Sequence, residues 1–376
     1  MTRLRSLWLR LHRWVALGVG WVLALVGLAG ALLVVAQPLD RAGHPDFFRA
    51  RGGASAGSAD APLEPTRQRL VAEFGAATTL TFRPPRAPGE TLWVLVRGPW
   101  SGTVYIDPAS GTEQGRRAED EGFVNVLFKL HSALLLKDTG KAILAWIALA
   151  YLVLLVSGLV LWWPRHWPPS LRIQWRKGAL RGMFDLHRTA GALLGLLIGV
   201  SVATGAYMAW RPLGDAVTWL SGASSLKPPA VPKAAAVAPA NAAAPSLDAL
   251  VALAQARFPG MPVGYVQVPG APNRPLRVRL LLPDDPHPNG LSSVWLNPRD
   301  GTVLRVDRWD RLDPGARAVA VIYPLHTGVL GGGWLEPVIL INGLALGTLG
   351  FSGLWLWWAR RRPHRRRAGP VDAHTG

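Results

Sequence analysis

The sequence predicts an α-helical membrane protein: a four-helix transmembrane bundle built from two parallel repeats, with two small α+β modules on its outer side. Four stretches carry no charged residue, 14–36, 142–163, 189–210 and 337–359. Each is long enough to cross a hydrocarbon core of roughly 30 Å at about 1.5 Å per residue. Basic residues gather in three short segments between or beyond these runs, and short motifs of the first half return in the second.

The formal charge of +18 would suggest nucleic acid if it were spread evenly, but it is not. Segments 1–13, 164–182 and 360–376 together hold 15 basic residues and one acid, Asp372. The long loop 37–125 holds 10 basic and 11 acidic residues, and 212–322 holds 11 and 8. An excess of Lys and Arg confined to short loops marks the cytoplasmic side, so both termini are expected inside and both long loops outside. The partner implied is a lipid bilayer, with no nucleic acid. The first apolar run follows basic residues as in a signal peptide, but it is about twice the usual length and reads as an uncleaved anchor. With no cysteine in the chain, disulfides, thiolate zinc and iron–sulfur clusters are excluded, and a redox centre would need histidine.

In chain order the expected organisation is a cytoplasmic N-terminus and first span (1–36), an outer module (37–125), an outer histidine segment and second span (126–163), and a cytoplasmic turn (164–182). The third span (183–211) follows, then a linker and second outer module (212–320), a second histidine segment and fourth span (321–359), and a basic tail (360–376). In the first module a helical pattern at 64–74 precedes alternating runs at 78–82, 91–96 and 103–106, ended by the turn Asp107-Pro108-Ala109-Ser110-Gly111. After the Ala/Pro-rich linker 221–245, the second module repeats this with a helix at 247–258, runs at 263–268, 276–282 and 293–296, and the turn Asn297-Pro298-Arg299-Asp300-Gly301.

The repeat reaches into the membrane. Leu11-His12-Arg13 opens the first span and Leu186-His187-Arg188 the third. Leu130-His131-Ser132 matches Leu325-His326-Thr327, and Ser157-Gly158-Leu159 leading to Trp162-Trp163 matches Ser352-Gly353-Leu354 leading to Trp357-Trp358; both pairs share an offset of 195. Histidine is costly in a bilayer, so its return at one depth calls for a purpose. Two parallel repeats are related by an axis along the membrane normal, which lets His12 approach His187 on the inner side and His131 approach His326 on the outer side. A haem at each level would take one axial imidazole from each copy. Small residues such as Gly18, Gly27, Gly30, Gly191, Gly199 and Gly205 favour close helix approach or leave room for a flat ring. His44, His166, His287, His364 and His374 have no repeat partner and read as solvated loop or tail residues, and the Trp pairs read as an interfacial belt.

These motifs, with Val104-Tyr105-Ile106-Asp107-Pro108 and Gly111, and with Trp162-Trp163-Pro164-Arg165, resemble the PepSY-associated transmembrane helix family. The likeness covers about residues 8–165 and again, more weakly, 183–360, where the second copy has Asn297 for Asp107 and Ala359 for Pro164. The resemblance implies PepSY-like periplasmic modules and an inner-membrane protein of iron uptake. It further implies two b-type haems, held by His12 with His187 and by His131 with His326, in a reductase of ferric siderophores or other ferric chelates. No G-x-G-x-x-G follows a strand and no cytoplasmic segment is long enough for a flavin domain, so the electron donor is expected to be a quinol or a separate cytoplasmic reductase. Two rival readings are a haem-free, membrane-anchored PepSY binding or regulatory protein and an uptake permease. The four uncharged runs contain no acid or Lys, which speaks against the permease. Trp93, Trp100, Tyr105, Trp295 and Trp309 either line a substrate site or pack the sheet core.

Overall fold

The computed structural model describes residues 3–52, 61–164, 167–222, 227–232, 244–271, 273–330 and 333–361. Arg165, His166, most of the Ala/Pro linker, Gly331 and Gly332, and the tail with Arg362, Arg365 to Arg367, His364, Asp372 and His374 lie outside the described residues.

The chain begins with α1 (Arg3–Gly43), which extends well beyond the uncharged run at both ends and passes Pro38. There follow α2 (Pro45–Phe48), α3 (Leu63–Phe74) and strands β1 (Thr79–Arg83), β2 (Leu92–Arg97), β3 (Gly102–Ile106) and β4 (Glu113–Ala118). Next come α4 (Phe123–Ala133), α5 (Lys137–Trp162), α6 (Ala179–Ala209), α7 (Arg211–Leu220) and α8 (Leu247–Gln255). Strands β5 (Val263–Val268), β6 (Leu276–Leu280), β7 (Ser292–Leu296) and β8 (Val303–Asp307) precede α9 (Pro314–Ala320), α10 (Ile322–Thr327) and α11 (Glu336–Ala359). Helices α1, α5, α6 and α11 are long and apolar enough to cross a membrane. Their exposed residues include Trp21, Leu25, Trp146, Leu149, Leu196 and Phe351, a surface suited to lipid rather than water. The protein is a helical membrane protein.

The chain forms two compact units, one of residues 1–28, 146–202 and 342–376, the other of 29–145 and 203–341. In the first, small residues set the helix contacts. A methyl added to Gly350 of α11 would lie 2.6 Å from that of Ala24 of α1, and one on Gly195 of α6 would lie 3.0 Å from Leu155 of α5. Such close backbones gain dispersion contact and let polar groups reach across. The Tyr151 hydroxyl donates to the Gly195 carbonyl at 2.6 Å, and the buried Asn342 amide donates to Ser201 at 3.1 Å.

In the second unit the sequence leads one to expect two small sheets, and the structure joins them. One eight-stranded antiparallel sheet runs β4-β3-β2-β1-β5-β6-β7-β8, with Leu80 opposite Val268 and Phe82 opposite Val266 at the seam. Each half thereby loses an open edge that would otherwise invite aggregation. Strands β4 and β8, beyond the turns thought to end each sheet, are new. Period-two alternation puts Leu80, Phe82, Val94, Val96, Val266, Val278 and Leu280 on one face, where α3 and α8 cover them with Leu70, Leu247 and Leu250, joined by Phe258 just beyond α8. The two helices cap each other. Asp248 accepts from the backbone N–H groups of Leu63 at 2.7 Å and Glu64 at 3.0 Å, and Glu64 accepts from that of Leu247 at 2.8 Å. Each carboxylate thus satisfies orphan donors at the other helix's positive end. Both hairpin turns close on a left-handed glycine, Gly111 (φ 71°) and Gly301 (φ 76°).

Candidate haem-binding histidine pairs

His12 on α1 and His187 on α6 face each other within the first unit, their ring centroids 6.4 Å apart and their planes at 85°. The Nδ1 atom of His12 lies 2.8 Å from Ser157 Oγ of α5. That hydroxyl also reaches the Val153 carbonyl at 2.6 Å; when its hydrogen is given there, the oxygen accepts from His12 Nδ1–H. His187 meets Ser352 of α11 the same way at 2.9 Å, with Ser352 donating to Leu349 at 3.2 Å. With Nδ1 of each ring engaged by a serine, Nε2 is the nitrogen left to bind a metal. The glycine after each serine makes room: a Cβ on Gly158 would stand 3.5 Å from His12 Cε1, and one on Gly353 would stand 3.3 Å from His187 Cε1.

His131 on α4 and His326 on α10 pair in the second unit, with centroids 6.0 Å apart and planes at 40°. Thr204 Oγ1 of α6 lies 3.0 Å from His326 Nδ1. A Cβ at Gly30 of α1 would come within 2.7 Å of His131 Cε1, and one at Gly205 of α6 within 2.9 Å of His326 Cε1. Side chains at these two glycines would push the imidazoles aside. Just past His131 the chain takes three left-handed non-glycine conformations, Leu134 (φ 50°), Leu135 (φ 61°) and Lys137 (φ 52°), a costly link that fixes how α4 turns into α5.

The four residues named from the sequence are thus brought together in the pairs expected of them. Whether they suit a haem can be tested on the donor set. A metal between two imidazoles, with metal–nitrogen bonds of roughly 2 Å, separates the ring centroids by about 6 Å, and both pairs have that spacing. Among the described residues no group of three or more His, Cys, Asp or Glu could hold a bare metal ion. A two-nitrogen site leaves an octahedral metal four ligands short, the number a tetrapyrrole supplies. Metal-ligating histidines also characteristically donate their second N–H to a neighbouring oxygen, and Ser157 and Ser352 stand where His12 and His187 can do so. The residues fit the group.

The family model for the PepSY-associated TM region matches residues 9–360, nearly the whole chain. The chain belongs to that family. No curated protein matches it.

This PepSY-associated membrane protein also carries a cleft that sequence reading missed, on the sheet face away from α3 and α8. It holds about 390 Å³ and is lined by Arg83, Trp93, Gln267, Asn289 and Tyr323 among others. Arg83 packs its guanidinium over the Trp93 ring at 4.3 Å. Burial, reinforced by Arg86 and Arg41, pushes its pKa down to about 10, which leaves it charged at neutral pH. Beside the cleft, His287 stacks on Tyr323 at 4.8 Å, and burial with Arg279, Arg86 and Arg277 nearby lowers its pKa to about 4. His287 is not the solvated loop residue expected; it is 8% exposed. Of the aromatic residues left open by the sequence, Trp93 lines the cleft, Tyr105 and Trp295 are buried, and Trp100 stacks on Phe74.

Proposed function

We propose that this protein is a bacterial inner-membrane, dihaem b-type electron-transfer protein that reduces a ferric siderophore or other ferric chelate in the periplasm for iron uptake. In this reading His12 and His187 are the axial ligands of one haem and His131 and His326 of the other. Ser157, Ser352 and Thr204 orient the imidazoles, and Gly30, Gly158, Gly205 and Gly353 leave them space. Haem b would supply a one-electron Fe(III)/Fe(II) couple when held by these histidines. The electron comes from a quinol or a cytoplasmic reductase and converts chelated Fe(III) to Fe(II), which hard oxygen donors hold less tightly. The termini are cytoplasmic, segments 37–125 and 212–320 are PepSY-like periplasmic modules, and the halves are parallel repeats about an axis along the membrane normal.

The observation that carries this reading is the spacing of the two histidine pairs, 6.4 and 6.0 Å, each what a single six-coordinate iron spans. A reduced-minus-oxidised spectrum with haem quantification on detergent-purified protein tests it. Two haems per chain are expected, falling to one in His12→Ala and to one in His131→Ala. Absence of a Soret band would leave the chain a haem-free PepSY binding or regulatory protein. For the substrate, dithionite-reduced protein should be reoxidised faster by ferric chelate than by buffer alone.

A further inference from the structure

We infer that the cleft on the open face of the sheet is the docking site for the ferric chelate, and that it selects a compact, carboxylate-bearing anionic complex over neutral or cationic ones. The identity of the metal complex rests on the reductase reading; the charge selection rests on the cleft alone. No lining residue is acidic. Among the described residues Arg83 has no ion pair or side-chain hydrogen bond, only the Trp93 ring beneath it, so its fork of donors faces the cleft unclaimed. Arg86 flanks the site and donates to the side-chain amide oxygen of Asn289, with Glu90 the carboxylate near its charge. Arg41 also approaches the Trp93 ring and forms an ion pair with Glu90 at 3.9 Å.

Three guanidinium groups against one carboxylate, gathered round an indole floor, form a receptor for an anion. Arginine binds carboxylates bidentately, and lysine cannot reproduce that geometry. Gln267, Asn289 and the two tyrosines Tyr265 and Tyr323 add neutral hydrogen-bonding groups for the rest of the ligand. A volume near 390 Å³ lies at the low end of the range of about 300–1,000 Å³ for small-molecule sites, which favours a compact complex over a long wrapping chelator. Position supports the role. Tyr323 forms part of the cleft wall and stands three residues before His326 on the same short helix, so one element carries both a wall of the cleft and one of the outer histidines.

The test uses Ga(III) citrate, a redox-inert stand-in for the ferric complex, titrated calorimetrically into the full-length protein in detergent. Wild-type protein is expected to bind it, with affinity falling as salt rises, and to bind a neutral gallium trihydroxamate about tenfold or more weakly. Arg83→Gln should weaken Ga(III) citrate by about tenfold or more while Arg83→Lys recovers only part of the loss. Equal binding of the two gallium complexes, salt-independent binding, or full affinity in Arg83→Gln would overturn the inference. Should Arg83→Gln not fold, the salt dependence and the preference between complexes in wild-type protein still decide it. Haem content is read in the same samples. Arg83-dependent binding without haem would sink the reductase reading and keep the anion cleft, whereas two haems with no charge preference would do the reverse.

Discussion

Ser157 and Ser352 each have a carbonyl of their own helix within reach of the hydroxyl hydrogen, an arrangement that lets the oxygen accept from the histidine N–H. An N–H so engaged makes the imidazole a stronger electron donor and favours the ferric state. Ser157→Ala should therefore raise the midpoint potential of the haem proposed at His12 by on the order of tens of mV, with haem content unchanged; a redox titration giving the wild-type value would remove Ser157 from the site. Space matters as much as bonding. A Cβ on Gly30 would meet His131 Cε1 at 2.7 Å, so Gly30→Val is expected to lose the haem at His131 and keep the one at His12, giving one haem per chain by pyridine haemochrome assay. The histidines were legible in the sequence because the same tripeptides recur at matched depth. Their partners were less so. The Ser-Gly pairs were visible as repeated letters, but nothing in a linear pattern says which helix face they turn to, and where α6 has Thr204 the corresponding place in α1 holds Ala29.

At the scale of elements, the spans and the first three strands of each half follow from composition and alternation, whereas β4 and β8 do not. β4 reads Glu-Gln-Gly-Arg-Arg-Ala, with no apolar alternation; its pairing with β3 and the ion pair of Arg117 with Asp40 at 2.8 Å hold it in place. The seam between β1 and β5 was hidden for another reason. Each strand looks like the edge of its own small sheet, and only backbone groups far apart in sequence reveal the join. The reciprocal caps of α3 and α8 lie over the same seam and give it a testable energetic counterpart. Asp248→Ala leaves two backbone N–H groups without their acceptor and should destabilise this unit by about 1–2 kcal/mol. Glu64→Ala added to it should cost less than the separate losses combined, since both carboxylates secure one contact between the helices. Thermal unfolding of the purified variants, read by loss of protease resistance, measures both. A stability equal to wild type for Asp248→Ala would mean that solvent serves those donors as well.

For the whole molecule, the surplus of basic charge that the sequence assigns to the cytoplasmic side has a smaller counterpart around the cleft, where Arg86, Arg277 and Arg279 surround His287. Burial, reinforced by that field, depresses the His287 pKa from its ordinary 6.5 to about 4. The folded protein then holds the ring neutral, while an unfolded chain takes up a proton below about 6.5, so the unfolded state binds more protons across that window. The contribution of His287 is complete above pH 6.5 or so and is lost as pH falls toward 4, by roughly 3 kcal/mol at most. Asp285, two residues away, acts in the opposite sense, because burial raises its pKa and its protonated form suits the fold. The two effects are separable by substitution. His287→Gln keeps a group able to accept the Asn289 N–H bond that His287 Nδ1 now receives at 3.0 Å, but it cannot titrate. In wild-type protein the stability of the unit should decline between pH 6.5 and 4, and in His287→Gln the decline should be visibly shallower. If the two profiles run parallel, His287 is as free to protonate in the folded protein as in the unfolded one, and the positive field assigned to this face of the sheet is screened away.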